Sequence, residues 1–493
     1  MSVQQLKNYI GGKWVAGRGH DMLAVENPST GEQIAEVTLS TEAEVEQAAD
    51  AAAAAFPGWS ATPVSRRCEL LLKLAGRMRD EFDDLVRLVT LENGKSLPDA
   101  AAEVKRALEN VEVAAGMPVL QQGDKLIGAA ADIDGEVLRL PIGPFGMIAP
   151  FNFPLMVPFW FFPYALATGN TYVVKPSEQV PLSMSRLAEL VDECGFPAGV
   201  FNIVHGDRVA AEALLENPVI RGVSFVGTSR VCRVVANRCA DTNKRFQALG
   251  GAKNHLVAMP DAKMEPMIRN MITSCYGCAG QRCMASSAIV CVGDEMYREV
   301  SERFVEASKE VITADPLSPA VADEAMVMGP VISAKSKTFI HEMIQTGIDE
   351  GATLALDGRP LVVDGCEKGH FIGPTVFTDV KSAMMIHQTE IFGPVVVILK
   401  ADSLDEAIGI INEHQYGNGA SIYTQNGHYA RKFKLETAAG MIGVNVGIPA
   451  PVAPLPFGGM KSSLFADTKA QGRAVIGFFT EQKIITERYW EED

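Results

Sequence analysis

The sequence predicts an α/β protein built on doubly wound, mostly parallel sheets, and three observations carry that prediction. Short extended runs at Phe145–Ala149, Thr171–Val174, Phe201–Val204 and Gly222–Phe225 alternate with helical patterns at Leu155–Leu166, Leu182–Cys194 and Ala210–Glu216. Strands alternating with helices imply parallel pairing through crossover connections. A second α/β series runs from Leu249 to Val446, with helical patterns at Glu265–Cys278 and Glu295–Ile312 around a strand at Ser287–Val292. Finally, 493 residues are enough for two to three domains with large cores.

Taken in order, residues 7–39 read as short strands and turns, with Gly11-Gly12 and Asn27-Pro-Ser-Thr-Gly31 supplying the turn chemistry. Thr41 opens a helix whose first residues include Glu42, Glu44 and Glu46, placed where the helix dipole favours negative charge. Helical patterns continue to about residue 117, Ala100–Ala115 among them. Leu126–Leu140 reads as a hairpin-like excursion, and residues from Asp467 to Asp493 as an amphipathic tail containing a strand.

From Pro141 to Val174 there is no charged residue, which imitates a membrane span. Pro150, Pro154, Pro158 and Pro163 break any continuous helix through it, so the run is expected inside a globular domain. The opening Met1-Ser-Val-Gln-Gln-Leu-Lys7 has neither a signal-peptide core nor an Arg/Ser-rich transit pattern. A net charge of −16 argues against nucleic acid or an anionic membrane as the main partner. Nine scattered cysteines do not form a disulfide framework, and a reducing cytoplasm is expected.

The chemistry centres on Tyr276-Gly-Cys-Ala-Gly-Gln-Arg-Cys-Met-Ala285. Cys283 has Arg282 on one side and the small residues Ala285, Ser286 and Ser287 beyond it, and a neighbouring guanidinium favours the reactive thiolate. Cys275-x-x-Cys278 has no second pair to complete a zinc site, and the eight histidines are scattered, so no metal is expected. Cys278 is expected to pack near the site and His255 to be structural. Lys175 and Glu178 lie just past a buried strand, where a carboxylate can accept hydrogen bonds from both hydroxyls of an adenosine ribose and repel a 2′-phosphate. Phe225-Val-Gly-Thr-Ser229 follows the next strand and opens a helix, so Gly227 and Thr228 suit a pyrophosphate at a helix N-terminus.

Gly280-Gln-Arg-Cys283, with Pro150-Phe-Asn-Phe-Pro154 before it and Glu390-Ile-Phe-Gly-Pro394 after it, resembles the aldehyde dehydrogenase superfamily. The resemblance runs nearly end to end, from Asn8-Tyr-Ile-Gly-Gly-Lys-Trp14 to Phe457-Gly-Gly459. It implies a Rossmann-type NAD-binding domain (1–122 and 144–248), a second α/β catalytic domain (249–446) and a small β arm for oligomerisation (123–143 and 467–493), giving a homodimer or homotetramer. It also implies that Cys283 is the nucleophile and that Asn152, with the Cys283 backbone N–H, holds the oxyanion. By the same resemblance Ala149, Phe151, Lys175, Glu178, Gln179, Gly227, Thr228 and Gly250 line the NAD cleft, while Glu390 and Phe392 meet its nicotinamide end. Cys232 departs from the family, which usually has a second glycine there.

Family members that make free acids carry a glutamate in Glu-Leu-Gly-Gly-Lys to activate water. Here Gln247-Ala-Leu-Gly-Gly-Ala-Lys-Asn-His255 places Leu249 at that position, and a leucine cannot take a proton. A thiol, which ionises readily near neutral pH, is the better acceptor. Gly251-Ala-Lys-Asn-His255, Met259-Pro-Asp-Ala262 and the proline-rich run 445–456 are similar to the coenzyme A-acylating branch that oxidises methylmalonate semialdehyde, although that branch usually has Asn at the position of Leu249. Arg106 and Arg282 match its carboxylate-binding positions, and an arginine fork suits a carboxylate.

The expected function is therefore NAD-dependent oxidation of a small acidic aldehyde, methylmalonate or malonate semialdehyde, through a Cys283 thioester. Decarboxylation and transfer to coenzyme A would give propanoyl- or acetyl-coenzyme A. An acid-forming dehydrogenase for another small semialdehyde is the alternative, disfavoured by Leu249. A catalytically inactive structural homologue is a second, disfavoured by the retained Cys283, Asn152, Lys175, Glu178 and Glu390.

Overall fold

Residues 4–322, 324 and 326–490 are described by a computed structural model, in which the two α/β series become two separate sheets. The first has eight strands. Its parallel centre runs Arg245–Leu249, Gly222–Val226, Pro144–Ile148, Thr171–Lys175 and Phe201–Ile203 across the sheet. In chain order the spatial sequence is 5-4-1-2-3, so the winding reverses between Pro144–Ile148 and Gly222–Val226. Open α/β sheets bind ligands at the carboxyl ends of strands beside such a reversal. That places Ala149 and Gly227 at the mouth of a crevice.

Local sequence explains the elements. Leu182–Cys194 buries Met184, Leu187, Ala188, Leu190, Val191 and Cys194 along one stripe, and Gly195 ends it at φ +80°. The uncharged run folds as the strand Pro144–Ile148, short helices at Met156–Phe159 and Phe162–Thr168, and the strand Thr171–Lys175. Two short helices replace the single pattern expected at Leu155–Leu166, and Pro163 sits in the first turn of the second of them. Phe159, Phe161, Phe162 and Leu166 are fully buried here, each contributing about 1.5–3 kcal/mol. Among the described residues no helix is long and apolar enough to cross a membrane.

The second sheet has seven strands, in the order Thr353–Leu356, Thr375–Thr378, Val395–Ala401, Ser286–Val292, Asn254–Ala258, Gly419–Tyr423 and Met441–Val444. All neighbours are parallel except the first pair. Leu249, expected to begin the second series, is instead the last residue of a first-sheet strand paired with Val226; the second sheet starts at Asn254. Leu464–Phe465 adds an antiparallel edge to the first sheet, which the sequence did not suggest.

The excursion forms strands Asp124–Ala130 and Ile133–Pro141, and the tail strand Thr480–Arg488 pairs with the latter over nine residues. Leu126, Ile127 and Ile484 on this three-stranded sheet are 64–76% exposed.

Candidate active site

Cys283 lies between the tight turn Gly277–Gly280 and the strand Ser286–Val292. Cys278, Ala279 and Gly280 are all left-handed, at φ +51°, +52° and +71°. Left-handed non-glycine residues cost of order 1–3 kcal/mol each and persist only where their surroundings hold them. Here the Cys278 N–H donates to Asp99 Oδ2 at 3.1 Å, and Gln281 Oε1 accepts from the Ile332 N–H at 3.0 Å. The Cys283 carbonyl accepts from both Asn254 Nδ2 at 2.9 Å and Asn418 Nδ2 at 2.8 Å. The nucleophile candidate is thus fixed from three directions.

Asn152 Nδ2 donates to the Gln281 carbonyl at 3.0 Å and stands 3.8 Å from Cys283 Sγ. This amide and the Cys283 backbone N–H are the donors that face the sulfur, and both favour its charged form. Burial opposes them, followed by the charge of Glu390, and pushes the thiol up to about 12.

Arg282 does not stabilise that thiolate, contrary to the expectation from sequence. Its Nη2 lies 2.5 Å from Asp99 Oδ1, and Asp99 Oδ2 in turn accepts from the Cys278 N–H, so the pair braces the strained turn. Its Nε is buried with no hydrogen-bond partner among the described residues. Adjacency in sequence placed the cation beside the nucleophile; the side chain turns the other way.

Two cavities meet at Cys283. The larger, about 780 Å³, lies at the winding reversal and is lined by Ala149, Phe151, Asn152, Lys175, Glu178, Gln179, Gly227, Thr228, Gly250, Cys283, Glu390 and Phe392. Lys175 Nζ holds Glu178 Oε2 at 3.1 Å and also donates to the Pro176 carbonyl at 2.9 Å. Thr228 caps the helix Ser229–Asp241, which opens onto this space. Cys232, in the first turn of that helix, is fully buried on its inner face. The Phe151 and Phe392 rings meet edge to face, 5.8 Å apart. Glu390 Oε1 accepts from the Ala252 N–H at 2.9 Å, and burial pushes the carboxyl up to about 7.

The smaller cavity, about 160 Å³, is lined by Arg106, Arg282, Cys278 and Cys283, with Phe153, Met156, Trp160 and Phe457 among its apolar walls. Arg106 pairs with Glu109 at 2.5 Å and remains partly exposed. Leu249 is buried in the same apolar cluster that Cys283 packs against, so no carboxylate replaces it there. Among the described residues no group of His, Cys, Asp or Glu is arranged to hold a metal ion.

The aldehyde dehydrogenase family model matches residues 14–485. The chain belongs to that family. This aldehyde dehydrogenase is 46% identical over 488 residues to malonate-semialdehyde dehydrogenase 1 of Geobacillus thermodenitrificans, covering 99% of each chain. It superposes with a TM-score of 0.97 on a Sinorhizobium meliloti protein described as a methylmalonate-semialdehyde dehydrogenase and solved with NAD, at 40% identity over 100% of this chain and 99% of that one. The methylmalonate-semialdehyde dehydrogenase of Oceanimonas doudoroffii gives 0.96 at 36% identity, covering 99% of both.

Several residues that hold the dehydrogenase site escaped sequence reasoning. Lys95, Asp99, Glu103 and Asn418 lie in stretches with no chemical motif. Asn254 sat inside a recognised run, but its bonds to the Cys283 and Ala285 carbonyls were not anticipated. The histidines are not all scattered: His255, His387 and His414 cluster with ring centroids 5.1–5.5 Å apart.

Proposed function

We propose that the protein is an NAD-dependent, coenzyme A-acylating dehydrogenase of malonate or methylmalonate semialdehyde. The single observation that carries this reading is the two-sided setting of Cys283. One side is a small cavity carrying Arg106 and Arg282, the other a cofactor-sized cleft, and a leucine stands where a water-activating carboxylate would be.

The cleft fits NAD by its chemistry. Its volume lies in the range of cofactor sites, a capped helix N-terminus faces it, and Glu178 waits beyond the strand Thr171–Lys175. Glu178, braced by Lys175, would accept the adenosine ribose hydroxyls, while Gly227, Thr228 and Gly250 leave room for the phosphates. Ala149, Phe151 and Gln179 would wall the dinucleotide, and Glu390 and Phe392 would set its nicotinamide end. When bound, NAD supplies the hydride acceptor.

The protein's own groups do the remaining work. Arg106, with Arg282 in the wall of the same cavity, would hold the substrate carboxylate, so the aldehyde faces Cys283. The thiolate attacks the carbonyl carbon, and the developing oxyanion is met by Asn152 Nδ2 and the Cys283 N–H, each such donor worth roughly 3 kcal/mol. Loss of hydride leaves a Cys283 thioester with a β-carboxylate. Carbon dioxide departs, and the same donors hold the resulting enolate oxygen until its carbon is protonated. Coenzyme A then collects the acyl group, since Leu249 offers water no base.

The assembly fits the same reading. The segments 1–122 and 144–248 would carry NAD, 249–446 the catalytic loop, and 123–143 with 467–493 the arm. Exposed Leu126, Ile127 and Ile484 would seat that arm on a second copy in a homodimer or homotetramer. Odd-numbered, scattered cysteines support a cytoplasmic setting.

The test is NADH formation from methylmalonate or malonate semialdehyde with and without coenzyme A. One burst per site without it, then steady turnover to acyl-coenzyme A with it, is expected. Steady production of free acid without coenzyme A would overturn the reading.

A further inference from the structure

The proposed acyl transfer leaves one question that the geometry can address: which group accepts the proton of the incoming thiol. Leu249 excludes the usual carboxylate. In the smaller cavity Asp99 is held by Arg282, while Glu103 is held by Lys95 and two backbone amides. In the larger one Glu178 is held by Lys175, Asp207 accepts from the Val209 N–H, and Glu212 pairs with Arg208. Glu390 is the remaining carboxyl there, and the only one whose charge acts on the Cys283 thiol.

Its placement is specific. Oε1 is fixed by the Ala252 N–H, while Oε2 has no hydrogen-bond donor among the described residues. Gly251 makes room for Oε2, since a Cβ there would stand 2.5 Å from it. The titratable neighbours that face it are Lys253, whose Nζ is held by the Ile386 and Thr389 carbonyls, together with Tyr416, Cys232 and Cys283.

We infer that Glu390 is the general base of acyl transfer, relaying the coenzyme A thiol proton to the sulfur of Cys283. This rests on the thiol-dependent reading above. The Glu390 carboxylate takes the proton from the thiol S–H as the new sulfur–carbon bond forms. The tetrahedral centre then collapses, the Cys283 sulfur–carbon bond breaks, and the Glu390 acid returns the proton to the departing sulfur. No net proton, electron or further reactant is needed. A carboxyl raised to about 7 by burial can both take and return a proton near neutrality. Nicotinamide ribose and coenzyme A thiol then use the same carboxyl in turn, so reduced cofactor must leave before transfer.

The experiment acylates wild-type enzyme and Glu390→Gln with p-nitrophenyl acetate, which bypasses the cofactor, and follows release of acetyl groups to coenzyme A from about pH 6 to about pH 9. Wild type should show a rate limb near neutrality. In Glu390→Gln that limb should move up toward the ionisation of coenzyme A's own alkyl thiol, above the about 8.5 of a cysteine, with transfer at neutral pH slowed about 10²-fold. Trifluoroethanethiol, a more acidic thiol with a much larger ionised fraction at neutral pH, should restore part of the loss. Overlapping pH profiles at similar rates would overturn the assignment of Glu390 alone. Release by water at a rate coenzyme A does not change would instead remove the acylating reading.

Discussion

Lys95 Nζ stands 2.5 Å from Glu103 Oε2, with both side chains fully withdrawn from solvent. Lys95 also donates to the Asn152 carbonyl at 2.6 Å, and Glu103 Oε1 accepts from the Leu155 and Met156 N–H groups at 2.9 and 3.0 Å. The pair therefore pins the backbone at Asn152, the proposed oxyanion donor, and just after it. Lys95→Met strands a buried carboxylate and should cost about 3–5 kcal/mol, with Tm falling accordingly. Lys95→Met/Glu103→Gln should recover part of that loss in calorimetry. A single variant as stable as wild type would show that the pair holds nothing.

Asn152 bears on the reaction more directly. Its amide is 3.8 Å from Cys283 Sγ and anchored on Gln281. Asn152→Ala should lower kcat by about 10²–10³, because one oxyanion donor is lost, and lower Tm modestly as the buried Gln281 carbonyl loses its donor. Cys283→Ala should abolish aldehyde-dependent NADH formation. Steady-state and burst kinetics check both, and retained turnover in Cys283→Ala would move the nucleophile elsewhere.

The legibility of these features follows distance along the chain. The helix Leu182–Cys194 was readable because its apolar stripe and its stop, Gly195, are local. The edge strand Leu464–Phe465 was not, since two residues carry no periodicity and gain their structure by pairing with Ala248 and Leu249. Cys283 and Asn152 were visible through motifs, but the direction of the Arg282 side chain was not. Asp99, 183 positions away, decides it.

The two arginines of the small cavity should accordingly separate. Arg106 pairs only with its helix neighbour Glu109 and remains partly exposed. Arg106→Ala should raise KM for a semialdehyde acid by about 10-fold or more while leaving propanal oxidation and Tm nearly unchanged. Arg282→Ala frees a half-buried Asp99 and a left-handed turn, so it should lower Tm as well. Equal effects of Arg106→Ala on acidic and neutral aldehydes would remove its carboxylate role.

Glu178 sits at the end of the strand Thr171–Lys175 with Lys175 Nζ on one of its oxygens. Replacing it by Ser removes the charge that a 2′-phosphate would meet and leaves the Lys175 ammonium, still held by the Pro176 carbonyl, without its carboxylate partner. The ratio of kcat/KM for NADP over NAD should rise by at least about 10-fold, roughly 1.4 kcal/mol. An unchanged ratio would place the adenosine ribose away from this carboxylate.

The histidine cluster makes stability depend on pH with a definite sign. His387 Nδ1–H donates to the Ser382 carbonyl at 2.8 Å, which leaves its Nε2 to accept from His255 Nε2–H at 2.9 Å. His414 Nδ1 accepts from the Tyr416 N–H, leaving its Nε2–H for the His387 carbonyl. All three rings are therefore neutral, and Lys253, whose ammonium burial lowers to about 7, and Lys461 face the cluster. Burial lowers His387 to about 4 and His414 to about 3, the neighbouring charges adding to it, and lowers His255 well below the usual range. The unfolded chain takes up these protons near 6.5 and the folded one does not. Stability is thus fully present above that pH and is lost as pH falls from about 6.5 toward about 4, by up to roughly 1.4 kcal/mol per pH unit for each ring. A glutamine at position 387 can donate to Ser382 and accept from His255 without binding a proton. His387→Gln should therefore flatten the acid side of the Tm–pH curve, and parallel curves would show that the cluster does not titrate in this window.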